Sequence, residues 1–252
     1  MTSAMRLDAL VVERGLAPTR ARARALILAG QVRVDDVVRS KAGTPVTEAA
    51  RVTLIRPDHG YVGRGGVKLA HALDAFGIPM RDRLVLDIGA STGGFTDAAL
   101  ERGARRVAAL DVGRGQIAWK LRQDARVTVL DGINARYLTA DRLPADLRTV
   151  DVVTIDVSFI SATRILPAVP PLLADGGDVV VLVKPQFEAG RPEIGKRGVV
   201  RDPEVRRRVV DHVATAGDAL GLTRVAETPS PISGAEGNRE VFLHLRHRPP
   251  AA

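Results

Sequence analysis

Short apolar runs alternate with helix-length segments through the last two thirds of the chain, and this alternation restricts the fold more than any other feature. The runs are Leu84–Ile88, Val107–Leu110, Val127–Leu130, Val150–Ile155 and Val179–Val183. The helical patterns are Gly94–Glu101, Gln116–Arg122, Ile160–Leu173 and Pro203–Leu220. Nearly continuous apolar strands with intervening helices are typical of a parallel sheet covered on both faces. The sequence therefore predicts an α/β fold, which two closing strands at Thr223–Glu227 and Glu240–Leu245 complete.

A separate small α+β unit is predicted at residues 5–58. A helical stripe begins at Leu7 and ends at Gly15, and Thr19 stands where a second helix should have its N-cap. That helix is predicted to end at Gly30, and the strand-like runs Gln31–Val34, Val37–Val38 and Val52–Ile55 follow it. A linker is predicted at 59–63, within the hinge-like stretch Pro57–Val62, and the second domain at 64–248.

The composition indicates a soluble protein with a polyanionic partner. Lys and Arg number 37 against 29 Asp and Glu, a net charge of +8, which suits binding to phosphates. There is no Cys, which excludes disulfides, thiolate metal sites and cysteine nucleophiles. The longest apolar run, Val179–Val183, is too short to cross a bilayer, and the first residues do not resemble a secretory signal. A cytoplasmic location is therefore expected, without a metal or a membrane as partner.

The first strand of the predicted sheet leads into a glycine-rich turn, DIGASTGGFTD. Gly89, Gly93 and Gly94 do not match the glycine spacing of dinucleotide-binding turns. Asp87 precedes the turn, where a carboxylate would repel a pyrophosphate but can pair with an amino group. The turn therefore favours S-adenosylmethionine over a nicotinamide cofactor, which is the competing interpretation.

Carboxylates end three successive strands, at Asp87, Asp111 and Asp131. A carboxylate at the end of the second strand can accept hydrogen bonds from ribose hydroxyls, and the third could accept from an adenine amino group. The alternative is that these are solvated aspartates at strand ends, which is less favoured for three in succession.

Two further strands end in groups suited to acid–base chemistry. Asp156 follows the fourth strand, and Lys184 follows the buried run of the fifth, so both are expected at the same sheet edge. A buried lysine needs a carboxylate neighbour. Lys68 lies on a predicted helix ahead of the sheet, and Glu240 opens the last strand. Taken alone, Lys68 could instead be an exposed helix lysine, which is the less favoured interpretation.

These four residues resemble the Lys-Asp-Lys-Glu tetrad of the FtsJ-type ribose 2′-O-methyltransferases. The resemblance implies that Lys184 is the base that accepts the proton of a ribose hydroxyl. It implies that Asp156 and Glu240 orient the base and the hydroxyl, and that Lys68 adds positive potential.

The N-terminal pattern RLDxLVxxRGLAxTRxxAxxLIxxGxVxVD resembles the alpha-L RNA-binding domain over most of residues 5–50. The resemblance implies docking of its two helices on folded RNA. Candidate RNA-binding residues, chosen by charge and position, are Arg6, Arg14, Arg20, Arg24, Lys41 and Arg64.

The order of the alpha-L pattern and the motifs GRGGVKL, DIGASTGGFTD, TIDVSFIS, VKPQFEAGR and GNRE resembles the TlyA family over nearly the whole chain. The resemblance implies 2′-O-methylation of cytidine in ribosomal RNA, with ribosomal subunits as partners. The cofactor positions that it implies for S-adenosylmethionine are Asp87, Gly89, Ser91, Gly93, Phe95, Asp111, Asp131 and Asp156. The chain departs from the family at Arg197, where glycine is more common, and in its HGYV hinge.

Two alternatives remain for the function. A non-catalytic RNA-binding or ribosome-assembly factor would keep the fold without the activity. The family also includes proteins called hemolysins, and any lytic activity is expected to be indirect. The five histidines are scattered, so no metal site is expected. Trp119 is expected to pack in the core.

Overall fold

The structure, a computed structural model, describes residues 4–28, 30–55, 60–234 and 237–248, with the side chain of Arg197 not described. The chain divides into two compact units between Gly60 and Tyr61. Of the predicted hinge and linker, residues 57–59 lie outside the described residues.

The described residues of the first unit form two helices and five short strands. In chain order they are β1 (Ala4–Arg6), α1 (Leu7–Glu13), α2 (Arg20–Leu28), β2 (Val32–Val34), β3 (Val37–Arg39), β4 (Pro45–Thr47) and β5 (Val52–Leu54). The strands form an antiparallel sheet in the order β3-β2-β5 and a separate antiparallel pair, β1 with β4. The pair β1–β4 is not evident in the sequence pattern. The helices pack on the strands through a small core that includes Leu7, Val11, Ile27 and Val32.

Both helices of this unit have the end signals that the sequence predicts. The Thr19 hydroxyl accepts a hydrogen bond from the backbone N–H of Arg22 at 3.2 Å, as an N-cap should. Gly15 and Gly30 follow the two helices with φ of +67° and +66°, the left-handed conformation that glycine adopts without strain.

The second unit is a seven-stranded sheet with helices on both faces. Its elements are α3 (Arg64–Phe76), β6 (Leu84–Ile88), α4 (Gly94–Glu101), β7 (Arg106–Asp111), α5 (Trp119–Arg122), β8 (Val127–Asp131), β9 (Val150–Ile155), β10 (Leu173–Val183), α6 (Pro185–Glu188), α7 (Pro203–Asp218), β11 (Leu222–Pro229) and β12 (Val241–His247). One core layer contains α3, α4 and α5, and the other contains α7 with the 3₁₀ turns that precede β10.

The strand order is β8-β7-β6-β9-β10-β12-β11. The first five strands are parallel, as predicted, and β12 is antiparallel to both of its neighbours. From β6 the chain runs outward through β7 and β8, then returns to the other side of β6 to form β9. A reversal of this kind opens a crevice beyond the carboxyl ends of the two central strands, where open α/β sheets bind ligands.

The helix predicted at Ile160–Leu173 is wrong. The segment forms three 3₁₀ turns, at Ala162–Arg164, Leu166–Ala168 and Pro170–Leu172, before β10 begins at Leu173. Three prolines within the segment lack the N–H that a continuous α-helix requires, at Pro167, Pro170 and Pro171.

The prediction for the segment after β7 is also only partly right. The helix extends over Trp119–Arg122 rather than Gln116–Arg122, because Ala118 has the extended backbone of an N-cap residue. Trp119 is 73% exposed, so the expectation that it packs in the core is wrong. The core position of this short helix belongs to Leu121, which is 2% exposed.

Candidate active site

The turn between β6 and α4 is shaped by two glycines. Gly89 has a φ of +87°, and a Cβ there would lie 2.5 Å from the backbone oxygen of Asp156. Gly93 has a φ of +97°, and a Cβ there would lie 2.2 Å from Cδ1 of Leu121. The sequence therefore needs glycine at both positions so that β9 and α5 can approach the turn.

Asp87 lies beneath this turn rather than at its surface. It is 1% exposed, and its two carboxylate oxygens accept hydrogen bonds from the hydroxyls of Thr96 at 2.7 Å and Thr154 at 2.9 Å. Burial raises the pKa of Asp87 to about 6, although both hydroxyl bonds favour the ionised form. In this geometry Asp87 ties β6 to β9 and to α4, and it does not line either of the cavities described below.

A cavity of about 480 Å³ opens beyond the carboxyl ends of β6, β7 and β9. Of the residues predicted to bind cofactor, Gly89, Ser91, Asp111 and Asp156 line it. Its size falls within the usual range for small-molecule sites, roughly 300–1,000 Å³. Other lining residues, which no sequence motif marked, follow the ends of β7, β8 and β9: Val112, Gln116, Ile133, Asn134, Val157, Phe159 and Ile160.

Asp111 is held at the cavity wall by two backbone donors. Its oxygens accept from the N–H of Ser91 at 2.8 Å and of Gly113 at 2.7 Å. A carboxylate has about four acceptor sites, so Asp111 can still accept hydrogen bonds from a ligand.

Asp131 does not line the cavity and instead braces the neighbouring loop. It accepts from the N–H of Gly115 at 3.1 Å and from Nη2 of Arg122 at 3.1 Å. The bond from Gly115, together with Arg122, holds the pKa of Asp131 below its usual range. Its predicted contact with an adenine amino group therefore stays a prediction.

A second, smaller cavity of about 120 Å³ adjoins the first. Gly89, Ser91 and Asp156 line both cavities, so Asp156 lies at their junction. Phe95 and Gly65 complete one side of the smaller cavity. Phe95 is 3% exposed and packs against Phe242, with 6.1 Å between ring centroids.

The predicted pairing of Lys184 with a carboxylate is present. Nζ of Lys184 lies 2.6 Å from Oδ1 of Asp156 and donates a hydrogen bond to Oγ of Ser158 at 2.9 Å. The lysine side chain is 11% exposed, and the aspartate side chain is 21% exposed. The sequence analysis did not identify Ser158, although it follows Asp156 by two residues at the same strand end.

Lys68 and Glu240 form a second ion pair, which is also buried. Nζ of Lys68 donates to Oε2 of Glu240, with 11% and 3% of the two side chains exposed. Lys68 is therefore not the exposed helix lysine that was its alternative interpretation. Its helix, α3, lies close to the turn between β6 and α4: a Cβ on Gly94 would lie 3.0 Å from Cα of Gly65.

The sheet register brings the two ion pairs to one edge. Val183 of β10 pairs with Val241 of β12, so one residue further on Lys184 and Glu240 stand on adjacent chain segments. The four residues of the predicted tetrad thus form two ion pairs at one edge of the sheet, where Asp156 lines both cavities.

The segment that follows Lys184 contacts the cavity wall through Phe187 and Glu188. The rings of Phe187 and Phe159 are 5.3 Å apart between centroids. Glu188 accepts hydrogen bonds from the Ser161 hydroxyl and from the N–H of Ala162, the second at 2.7 Å. Burial raises the pKa of Glu188. Phe159 itself is 92% exposed and has a φ of +65°, an unusual conformation for a residue other than glycine.

Three of the six predicted RNA-binding residues share one ion-pair partner, and the other three belong to other segments of the chain. Arg6, Arg20 and Arg24 converge on one carboxylate, Asp8, in the first unit. Of the other three, Lys41 lies in the exposed loop between β3 and β4, Arg14 follows α1, and Arg64 opens α3 in the second unit. The side chain of Arg14 donates to the backbone oxygen of Glu48.

Comparison with known proteins decides the family. The FtsJ-like methyltransferase model matches residues 61–247, and the S4 domain model matches residues 5–52. The 16S/23S rRNA (cytidine-2′-O)-methyltransferase TlyA of Mycobacterium tuberculosis is 46% identical over 247 residues, which cover 98% of this chain and 91% of that protein. The chain belongs to the TlyA family of FtsJ-like methyltransferases.

Other TlyA-like proteins are similar over nearly their whole length. Hemolysin A of Brachyspira hyodysenteriae is 38% identical over 241 residues, covering 96% of this chain and 99% of that protein. A solved structure from Streptococcus thermophilus, named as a candidate hemolysin, superposes with a TM-score of 0.76 at 40% identity. It covers 99% of this chain and 90% of that one.

Within the described part of the chain, no helix combines the length and apolar character needed to span a bilayer. Across those same residues, no three His, Asp or Glu side chains come together in a group that could hold a metal ion.

Proposed function

We propose that this chain is an S-adenosylmethionine-dependent methyltransferase that methylates the ribose 2′-hydroxyl of ribosomal RNA, with cytidine as the target nucleoside. One observation carries the proposal: Asp156 lines both cavities where they meet, and its Oδ1 lies 2.6 Å from Nζ of Lys184. A base held beside the junction of a nucleoside-sized cavity and a small one is suited to transfer of a small group to a hydroxyl. The names of relatives supply cytidine and ribosomal RNA as the substrate class.

The residues at the sheet edge fit S-adenosylmethionine. Asp111 at the wall of the larger cavity can accept hydrogen bonds from ribose hydroxyls, and apolar side chains such as Ile133 and Ile160 can pack on an adenine. The carboxylate of Asp156 at the junction favours a positively charged ligand. When bound, S-adenosylmethionine supplies a methyl group on an electrophilic sulfonium.

The protein's part in the reaction is to position the ribose and to remove a proton. A ribose hydroxyl is a weak nucleophile, so a base within hydrogen-bonding reach accelerates its attack. On this proposal Nζ of Lys184 accepts the hydroxyl proton as the oxygen–methyl bond forms. Asp156 and Ser158 fix the position of Nζ.

The second ion pair acts on the same edge. Glu240 stands beside Lys184 in the sheet register, and Lys68 holds it in place. A buried carboxylate at that point can orient the substrate hydroxyl, while the Lys68 ammonium keeps the local charge balanced. Catalysis then rests on positioning of the reacting groups. In well-oriented reactions, positioning lowers the activation barrier by about 7–11 kcal/mol.

Recognition of RNA belongs in this proposal to both units. The first unit carries the cluster of three arginines, and the whole chain has a net charge of +8. At the mouth of the larger cavity, the exposed ring of Phe159 is suited to stacking on an unpaired base.

The experiment that tests the proposal is incubation of the protein with labelled S-adenosylmethionine and small and large ribosomal subunits. The expected result is label in RNA that survives alkaline hydrolysis as a dinucleotide, because a 2′-O-methyl group protects the adjacent phosphodiester. Label only on bases, or only in protein, would show a different methyltransferase. A complete lack of label on both subunits and on free ribosomal RNA, with cofactor still bound, would favour a non-catalytic RNA-binding factor.

A further inference from the structure

One buried carboxylate in the first unit lies at the centre of its basic surface. Asp8, in the first turn of α1, is 0% exposed. It accepts from Nε and Nη2 of Arg6, both at 3.0 Å, from Nε of Arg24 at 3.0 Å and from Nη2 of Arg20 at 3.3 Å. The three arginine side chains themselves remain about half exposed, at 52%, 53% and 55%.

The contacts with Asp8 use only a minority of the donors in the cluster. A guanidinium has five N–H donors, and each arginine directs only one side of its group at Asp8. The bond from Arg6, with those from the other two arginines, keeps the pKa of Asp8 far below its usual range, so Asp8 stays ionised. Three guanidinium groups and one carboxylate give the cluster a net charge of +2.

Asp8 also joins separate parts of the chain. Arg6 ends β1, whereas Arg20 and Arg24 lie one turn apart on the same face of α2. The backbone N–H of Asp8 donates to the oxygen of Ala42 at 3.0 Å, and Arg6 packs against Gly43 in the same loop. Without the carboxylate, three like charges would repel one another, and long arginine side chains would lose a shared anchor.

We propose that Asp8 is a positioning residue of the RNA-binding surface, which holds three guanidinium groups together as one phosphate-binding cluster. The partner that this cluster fits is folded RNA in which backbone phosphates crowd together, as they do along the narrow major groove of an A-form helix. Preorganised arginines lose less side-chain freedom when they bind a phosphate. The inference rests on the proposed function, since it takes RNA to be the partner.

The sign of one substitution separates this role from simple electrostatics. Removal of a negative charge from a basic surface should strengthen RNA binding if charge alone matters. If Asp8 positions the arginines, Asp8→Asn should weaken binding although the net charge becomes more positive. Glu13→Gln is the matched control, because Glu13 is an exposed carboxylate on the same helix.

The experiment measures the affinity of the full chain for isolated ribosomal subunits over a series of salt concentrations, below the melting temperature of every variant. Asp8→Asn should weaken binding about tenfold and reduce the salt slope by the equivalent of about one or two phosphate contacts. Glu13→Gln should bind as tightly as the wild type or more tightly. Unchanged or tighter binding by Asp8→Asn would overturn the inference and leave the proposed function standing.

Two further comparisons keep the test decisive. On poly(U), an extended single strand, the affinity of Asp8→Asn should fall by less than about threefold, because phosphates there are not crowded. An equal loss of affinity on both RNAs would refute the preference for folded RNA.

If Asp8→Asn does not fold, Arg20→Lys and Arg24→Lys keep the charge but lose the planar fork, and each should weaken binding to subunits. If both variants bind subunits as tightly as the wild type does, the proposed arginine cluster is contradicted. Failure of the wild type to bind either RNA would instead overturn the proposed function.

Discussion

Nζ of Lys184 lies 2.6 Å from Oδ1 of Asp156, and these residues follow the ends of two adjacent parallel strands, β10 and β9. Because β6 is also parallel to β9, the turn after β6 lies at the same edge of the sheet. The strand order reverses beside β6, between β8 and β9, and the larger cavity opens at this edge. A ligand bound there would meet a fixed base without any need for the strands to rearrange.

In the turn between β6 and α4, Gly89 should be the residue that tolerates substitution least. Gly89→Ala places a Cβ 2.5 Å from the backbone oxygen of Asp156 in a backbone conformation with φ of +87°. Since backbone must shift, we expect a loss of about 3 kcal/mol or more in the free energy of unfolding. Affinity for S-adenosylmethionine should fall with it, which denaturant unfolding and titration calorimetry would measure.

The control for Gly89 is Gly176→Ala. Gly176 has a φ of +72°, but a Cβ there would have nothing within 4 Å. Its expected cost is the conformational strain alone, about 1 kcal/mol, with unchanged cofactor affinity. Equal effects of the two substitutions would show that close approach to Asp156 is not what requires glycine in the turn.

The Lys68–Glu240 pair should be costly to break from one side. Lys68→Met leaves the nearly buried carboxylate of Glu240 without its cation, which we expect to destabilise the fold by about 3–5 kcal/mol. The double variant Lys68→Met, Glu240→Leu should recover much of that stability while activity stays lost.

The control is Asp74→Ala, which removes an exposed partner of Arg102 and should lower the free energy of unfolding by less than about 1 kcal/mol. If Lys68→Met and Asp74→Ala cost the same in denaturant unfolding, the first pair is not effectively buried.

Asp87 should make stability fall as the pH rises. Burial raises the pKa of Asp87 to about 6 from its ordinary 3.8, so the native state binds this proton more tightly than the unfolded state. The stabilisation is complete below the unfolded pKa and is lost as the pH rises through about 6, a total of about 3 kcal/mol. Asp87→Asn should lack this loss.

The unfolding free energies of both proteins at about pH 4.5 and about pH 7.5 provide the measurement. The stability of the wild type relative to Asp87→Asn should fall by about 2 kcal/mol between these conditions. A difference that does not change with pH would mean that Asp87 is ionised throughout, and its burial would then have to be offset by a stronger partner than Thr96 and Thr154.

Glu188 should affect turnover without touching the substrate. Glu188→Ala removes the acceptor for Ser161 and Ala162, so the cavity wall with Phe159 would loosen relative to Lys184. We expect kcat to fall about tenfold or more, since small misplacements of catalytic groups are costly. Glu188→Gln keeps an acceptor for the N–H of Ala162 and should recover part of the loss. Glu193→Ala, in the next turn of the chain, should turn over normally; steady-state methylation of ribosomal subunits compares all three.

The strands and the tetrad could be predicted from the sequence because their signals are local. Leu84–Ile88 and Val150–Ile155 are observed with the predicted bounds, since buried parallel strands are short runs of β-branched and aliphatic residues. A residue that follows such a run must emerge at the sheet edge, which is why Asp156 and Lys184 could be placed together from their positions alone.

Other features depend on partners that are distant in the sequence. Ser158 and Glu188 gain their roles only when β9 and β10 are adjacent, and no local pattern marks them. Asp87 was predicted to bind the cofactor, and the hydrogen bonds that it accepts from the threonines of α4 and β9 were not indicated by any local pattern. Trp119 has the apolar bulk of a core residue, but its helix has a single turn, and Leu121 takes the buried face.

The departure at Arg197 could not be resolved in the same way, because its side chain lies outside the described residues. The neighbouring loop is fixed by Asn238, whose side chain accepts from the N–H of Val200 at 2.9 Å and donates to the backbone oxygen of Gly198 at 2.8 Å. An asparagine in the GNRE motif thus holds this loop close to Glu240, which the sequence alone did not indicate.

The most direct test of the account is methyl transfer from labelled S-adenosylmethionine to ribosomal subunits by Lys184→Ala beside the wild type. Lys196→Ala, the same substitution at an exposed lysine, is the control. The account predicts that Lys184→Ala binds the cofactor normally but loses at least about a hundredfold in turnover, as expected for removal of a general base. Near-normal turnover by Lys184→Ala, with Lys196→Ala unchanged, would contradict the assignment of Lys184 as the base.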